Sequence, residues 1–139
     1  MKHIEVVAAV ILHNNKILCV QRDEHKYDYI SYKYEFPGGK MEPGETKQAA
    51  LKREIKEELE LDIKVLEHFL TVEHEYPDFK ITMHSFICSC ENTLHTLTEH
   101  INSRWFNKEL LLLLDWSAAD IPIVEKITKG EDKENRVAN

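Results

Sequence analysis

Gly38-Gly39-Lys40-Met41-Glu42-Pro43-Gly44-Glu45-Thr46-Lys47-Gln48-Ala49-Ala50-Leu51-Lys52-Arg53-Glu54-Ile55-Lys56-Glu57-Glu58-Leu59-Glu60-Leu61 is the stretch on which the fold turns. The chain has four glycines, and three of them, Gly38, Gly39 and Gly44, open this segment. Clustered glycines imply tight backbone geometry or close approach to a ligand, although a plain strand-to-helix loop would look the same. From Thr46 to Leu59 the pattern turns helical: Leu51, Ile55 and Leu59 recur every four residues as one apolar stripe, and Thr46 suits an N-cap. Glu54, Glu57 and Glu58 stand at i, i+3 and i+4, so they share one face of that helix. Three crowded carboxylates repel unless a cation sits among them. All-oxygen ligands suit a hard ion, Mg2+ first and Mn2+ second. A solvated acidic face fits the spacing equally well.

Outward from this segment the chain reads as a mixed sheet. Ile4 to Leu12 and Lys16 to Arg22 are β-rich runs parted by Asn14-Asn15, the signal of a hairpin. Asp23 to Lys33 is a polar loop studded with tyrosines, and Tyr34-Glu35-Phe36 is a short extended piece that stops at Pro37. Asp62 to Tyr76 and Phe79 to Cys90 are longer strands joined around Pro77-Asp78, Leu94 to Thr98 is a shorter one, and Trp105-Phe106 is a brief apolar step. Lys108 to Leu114 and Ala118 to Lys129 are the remaining helical segments. The expected organisation is one domain over residues 1–129, followed by a polar, disordered tail over 130–139. A sheet with one central and one C-terminal helix is an α+β fold or an α/β sandwich.

The 139 residues are 42% apolar and 31% charged, enough to bury a core, with 25 acids against 18 bases and a formal charge of -7. An acidic chain lacks the basic face that a nucleic-acid polymer requires. The imbalance is local: residues 57–78 hold eight acids and one base, Lys64. Cys19, Cys88 and Cys90 are odd in number and lack the spacing of a disulfide framework or a zinc knuckle. No run approaches the roughly 20 apolar residues of a membrane span. A cytoplasmic protein with no membrane partner is expected.

Gly39, five residues, Glu45, seven residues, then Arg53-Glu54-Ile55-Lys56-Glu57-Glu58-Leu59-Glu60-Leu61 resembles the Nudix box, Gly-x5-Glu-x7-Arg-Glu-aliphatic-x-Glu-Glu-x-Gly-aliphatic. Every fixed position matches except Glu60, which replaces the final glycine. Glu5-Val6-Val7-Ala8-Ala9-Val10-Ile11, Glu35-Phe36-Pro37-Gly38-Gly39-Lys40 and Asp115-Trp116-Ser117-Ala118-Ala119-Asp120-Ile121-Pro122 are similar to the MutT-like branch of that family. The resemblance implies a Nudix α/β/α sandwich and hydrolysis of a nucleoside triphosphate to the monophosphate and pyrophosphate, as in nucleotide-pool sanitation. It further implies that Glu54, Glu57, Glu58, Glu99 and the Gly38 carbonyl hold Mg2+ or Mn2+. Glu57 is the first choice for proton acceptor, with Glu54 or Glu99 as alternatives. Gly39, Glu45 and Arg53 brace the loop against the helix.

By the same resemblance Arg22, Glu35, Phe36 and Asp120 contact the nucleotide. An ionised Asp120 only accepts hydrogen bonds and so favours an exocyclic amine such as cytosine N4, whereas some 8-oxoguanine-specific relatives carry Asn there. The other reading of Asp120 is a residue favoured by the N-terminal dipole of its helix. The tyrosines at 27, 29, 32 and 34 form either a lid over the base or a packed loop, and Trp105 and Trp116 read as core or pocket wall. The histidines, His74 and His84 included, read as ordinary strand positions. Leu110 to Leu114 is either core or a dimer contact, so monomer and homodimer both stand. Glutamate at position 60 costs about 1 kcal/mol if the helix ends left-handed there. The competing functions are hydrolysis of another nucleoside diphosphate derivative, such as ADP-ribose or a dinucleoside polyphosphate, and a non-catalytic nucleotide-binding module.

Overall fold

The computed structural model describes residues 1–93, 95, 96 and 100–138, with side chains to residue 129. Among them, seven strands form one mixed sheet: β1 (Lys2–His13), β2 (Lys16–Arg22), β3 (Tyr34–Glu35), β4 (Gly38–Lys40), β5 (Lys64–Glu75), β6 (Phe79–Ser89) and β7 (His100–Asn107). Helix α1 spans Lys47–Leu59 and α2 spans Ile121–Ala138. The backbone of α2 therefore runs past Lys129, where the sequence reading ended it. Of the expected strand at Leu94 to Thr98, His95 and Thr96 are described and lie in no strand, whereas Leu94, Leu97 and Thr98, and Glu99 with them, lie outside the described residues.

The main strand order is β3-β2-β1-β6-β5, with β4 on β1 and β7 on β2. β1 and β6 run parallel in register from Lys2↔Phe79 to Leu12↔Ser89, and the β1–β2 hairpin turns through Asn14 and Asn15 at φ 50 and 64. A two-residue turn with both central residues at positive φ suits the twist of a hairpin, and asparagine tolerates it. Val7, Ala8, Ala9, Val10 and Ile11 are all buried because β1 is covered on both faces. Alternation then divides them. Val7, Ala9 and Ile11 pack with Ala50, Leu51, Ile55 and Leu59 of α1, whereas Ala8 and Val10 pack with Ile123, Val124 and Ile127 of α2. The result is the expected α/β/α sandwich.

Thr46 caps α1, its Oγ1 accepting from Ala49 N at 3.1 Å. At the other end Glu60 itself adopts the left-handed conformation, φ 53 and ψ 36, and its N–H reaches the Lys56 carbonyl at 3.0 Å. The helix keeps the termination that suits glycine, so the substitution is met as backbone strain.

Three segments depart from the sequence reading. Gly38-Gly39-Lys40 forms strand β4 against β1, not a simple loop. Trp105-Phe106 belongs to an eight-residue strand. The leucine run forms a 3₁₀ helix, Lys108–Leu113, with Leu111 buried and Leu110, Leu112 and Leu113 exposed. The three cysteines are free and buried, and burial pushes their thiols up, so none is poised as a nucleophile near neutrality. Among the described residues no helix is long and apolar enough to cross a membrane.

Candidate active site

A cleft of about 410 Å³ opens beside β1 and β4, lined by Glu58 of α1, though not by Glu54 or Glu57, and by Ser117, Ala119 and Asp120 just before α2. Its inner end is lined by Gly38, Gly39, Lys40 and Glu58, and its other end by Arg22, Glu35, His100 and Asp120.

The glycines serve two close approaches. A Cβ at Gly38 would stand 1.9 Å from the Val7 carbonyl oxygen, so this residue must be glycine for β4 to lie on β1. At Gly39 a Cβ would meet Glu54 Oε2 at 2.3 Å: the carboxylate rests directly on the strand backbone. Neither approach was specified by the sequence, which only signalled tight geometry.

Arg53 organises the acidic face. It grips Glu45 bidentately, Nε to Oε2 at 2.7 Å and Nη2 to Oε1 at 2.9 Å, and Nη2 also donates to the Lys40 carbonyl at 3.1 Å. Nη1 donates to Glu54 Oε1 at 3.0 Å and to Glu57 Oε2 at 3.2 Å. The Arg53 guanidinium holds the Glu45 carboxyl down at about 2, and the contact with Glu45 in turn raises Arg53. Glu42 N closes the loop onto Glu45 Oε1 at 2.8 Å. Through these contacts Arg53 and Glu45 link the loop after β4 to α1. A cation does stand among the carboxylates, but it is Arg53. No cluster of three His, Cys, Asp or Glu groups close enough for a metal occurs among the described residues. The donor set nevertheless suits a hard divalent ion: Glu54 is packed on glycine backbone, Glu58 is buried at the cleft, and Glu57, with 59% of its side chain exposed, faces water.

At the other end, Asp120 is 4% exposed and its Oδ1 accepts from Phe36 N at 3.0 Å. Burial, with the charge of Glu35 second, raises its carboxyl well above the usual range. The shift is toward the neutral acid, away from the simply ionised acceptor that the sequence reading assumed. A neutral carboxyl can also donate, as asparagine does. Phe36 contributes its backbone N–H; its ring is buried and stacked on Trp116, centroids 4.7 Å apart. Arg22 and Glu35 meet as Nε to Oε1 at 2.9 Å.

The tyrosines divide between the two readings. Tyr27 lines the cleft and stacks on Tyr29, which stacks on Tyr76 and donates to Asp78 Oδ2 at 2.6 Å. Tyr34 instead packs against Phe106 and Trp116, and Tyr32 is exposed. His84 bonds Glu5 at 2.7 Å and Thr71 at 3.0 Å, a satisfied strand position as expected. The sequence reading missed His100 and Tyr76. The Tyr76 hydroxyl accepts from Ala119 N at 3.0 Å beside Asp120. No local pattern marks either residue, since both reach the cleft through strand pairing.

The class defined by this fold and site is an α/β/α hydrolase built around a glycine-fed acidic helix. The chain belongs to the Nudix family: the NUDIX domain model matches residues 2–127, and the protein is a Nudix hydrolase. It is 37% identical over 126 residues to the CTP pyrophosphohydrolase of Escherichia coli K12, covering 90% of this chain and 91% of that one. It is 30% identical over 132 residues to the 8-oxo-dGTP diphosphatase of the same organism, covering 93% and 99%. The solution NMR structure of the MutT protein of methicillin-resistant Staphylococcus aureus 252, a Nudix hydrolase, superposes with a TM-score of 0.72 at 42% identity, over 94% of this chain and 99% of the other. The family acts on nucleotide substrates and generally uses divalent metal ions.

Proposed function

We propose that this Nudix hydrolase cleaves a nucleoside triphosphate, of cytidine or oxidised-guanine type, to the monophosphate and pyrophosphate with Mg2+, or Mn2+ in its place. One observation carries the reading: a single cleft joins the Gly38, Gly39 and Glu58 end to the Arg22, Glu35 and Asp120 end, with room for triphosphate and base together. The two Escherichia coli relatives, named for CTP and for 8-oxo-dGTP, support the same substrate class.

Glu54, Glu57, Glu58, Glu99 and the Gly38 carbonyl would hold the metal. Bound there, it offsets the charge of carboxylates and phosphates, polarises the phosphoryl oxygens and lowers the pKa of a water. Arg53 holds Glu54, which rests on the β4 backbone, and the exposed Glu57 through its contacts with both. Glu57, the more exposed of that pair, accepts the proton of the water that attacks the β-phosphorus. The bond from that phosphorus to the oxygen bridging to the α-phosphate breaks, the oxygen leaves with the nucleoside monophosphate, and Glu57 returns its proton to solvent. Arg22 offers its planar fork to phosphate or base. A neutral Asp120 offers an O–H to a base nitrogen or carbonyl and a lone pair to an amine, which suits both cytosine and 8-oxoguanine.

The test is incubation with Mg2+ and CTP, dCTP, 5-methyl-dCTP, dGTP, 8-oxo-dGTP, ADP-ribose or diadenosine polyphosphates, followed by product analysis. Monophosphate plus pyrophosphate from a triphosphate is expected, and activity disappears with EDTA. Exclusive turnover of ADP-ribose or a dinucleoside polyphosphate transfers the assignment to that substrate, and turnover of none leaves a binding module. Glu57→Gln lowers kcat by about a hundredfold or more with the fold retained. An unchanged rate removes Glu57 from the proton-accepting role.

A further inference from the structure

Glu35 is held from two sides: its Oε1 accepts from Arg22 Nε and from His100 Nε2, each at 2.9 Å. The three side chains stand on three adjacent strands, β3, β2 and β7, and all line the cleft. Their meeting depends on a bulge. Gln21 pairs with Asn102, but the next residue, Arg22, pairs with His100, so Ile101 is an extra residue in β7. In a regular ladder Ile101 would oppose Arg22 and His100 would turn to the other face. The bulge has costs: Ile101 is left 46% exposed, and the ladder is interrupted. A further cost lies in the ring itself, whose side chain is 5% exposed while Nδ1 is buried with no hydrogen-bond partner among the described residues. Buried nitrogens are rarely left so, because desolvation is then uncompensated. None of this favours stability. All of it keeps one Nε2–H on Glu35.

We propose that His100 is a positioning residue for nucleotide binding, fixing Glu35 and through it the guanidinium of Arg22; this rests on the triphosphate reading above. Arg22 is held through Nε and its side chain is 45% exposed, while neither terminal nitrogen makes a hydrogen bond among the described residues. The planar fork is thereby left for an anionic or carbonyl oxygen of the substrate. A carboxylate held by Arg22 alone could rotate and take the fork with it, and the second donor prevents that.

The test is a double-mutant cycle in steady-state kinetics with CTP and 8-oxo-dGTP. His100→Phe fills the space without a donor and raises KM roughly tenfold while kcat stays within about twofold, the size expected for losing a hydrogen bond to a charged group. His100→Gln, whose amide nitrogen reaches the position of Nε2, restores most of the loss. Arg22→Ala raises KM at least as much, and adding His100→Phe to it changes KM no further. Should His100→Phe fail to fold, His100→Asn, too short to reach Glu35, carries the same contrast with His100→Gln. A wild-type KM in His100→Phe, or effects of the two substitutions that multiply, overturns the inference alone. Absence of triphosphate turnover in the wild type overturns the functional reading and the inference with it.

Discussion

The two ends of the cleft are built on opposite plans. At the end proposed for the phosphates the polar groups come from one continuous stretch, Gly38 to Glu58, and Arg53 ties four parts of it together: Lys40, Glu45, Glu54 and Glu57. At the end proposed for the base, Arg22, Glu35, His100 and Asp120 come from β2, β3, β7 and the turn before α2. The first end is fixed by spacing along a helix and the loop before it, the second by which strands pair and in what register. A local assembly should fail as a unit, and a distributed one should change by degrees.

The largest effect follows from the unit. Arg53→Ala releases Glu45, Glu54 and Glu57 together, and we expect kcat to fall by about a hundredfold or more, as for a misplaced catalytic group. Adding Glu45→Gln to Arg53→Ala should lower it little further; two multiplying losses would show that the loop and the helix act separately.

At the base end, Asp120→Asn should change the ratio of CTP to 8-oxo-dGTP turnover by several-fold without abolishing either, the scale of a neutral hydrogen bond. The same variant carries a signed pH dependence. The folded-state pKa of Asp120 lies above its ordinary value of 3.8, so below 3.8 the folded and unfolded states are both protonated and burial carries no ionic penalty. As pH rises the unfolded state ionises first and wild-type stability falls, until the pH passes the folded pKa. Asp120→Asn should therefore melt higher than wild type at pH 8, with the gain vanishing near pH 3.5. A constant difference across that range would show that the pKa of Asp120 is not raised in the fold.

Glu45 has the opposite sign. Its carboxyl is lowered from 4.5 to about 2, so its contribution is present above 4.5 and is lost as pH falls toward 2. Glu45→Gln should flatten the melting curve against pH in that interval, and an unchanged acid limb would place the sensitivity elsewhere. The smallest effect is at the helix end. Glu60→Gly relieves a left-handed glutamate and should stabilise the protein by about 0.5–1 kcal/mol in chemical denaturation, with activity unchanged. A loss of stability would mean that a contact of the Glu60 side chain outweighs the strain.

The sequence anticipated α1 in detail, from the Thr46 cap to the buried Leu51, Ile55 and Leu59, because cap and stripe are short-range patterns. It anticipated the Asn14-Asn15 turn for the same reason. It did not anticipate β4 or the length of β7. Both carry residues that look unlike strand, two glycines in one case and His100, Asn102 and Ser103 in the other, and both are strands only because β1 and β2 offer them a ladder. The excess acids at Glu67, Glu73 and Glu75 are exposed on β5, the solvated role expected for them.

By itself, then, the order of residues determined the family box, the capped helix with its carboxylate face, and the Asn14-Asn15 hairpin turn. Each is a matter of period and of contacts within a few residues. Only the tertiary structure decided that Arg53 stands between Glu54 and Glu57, that Asp120 is buried toward its neutral form, and that a bulge at Ile101 turns His100 onto Glu35. Those outcomes depend on desolvation and on strand register between segments far apart in sequence, and neither is encoded in any one of them.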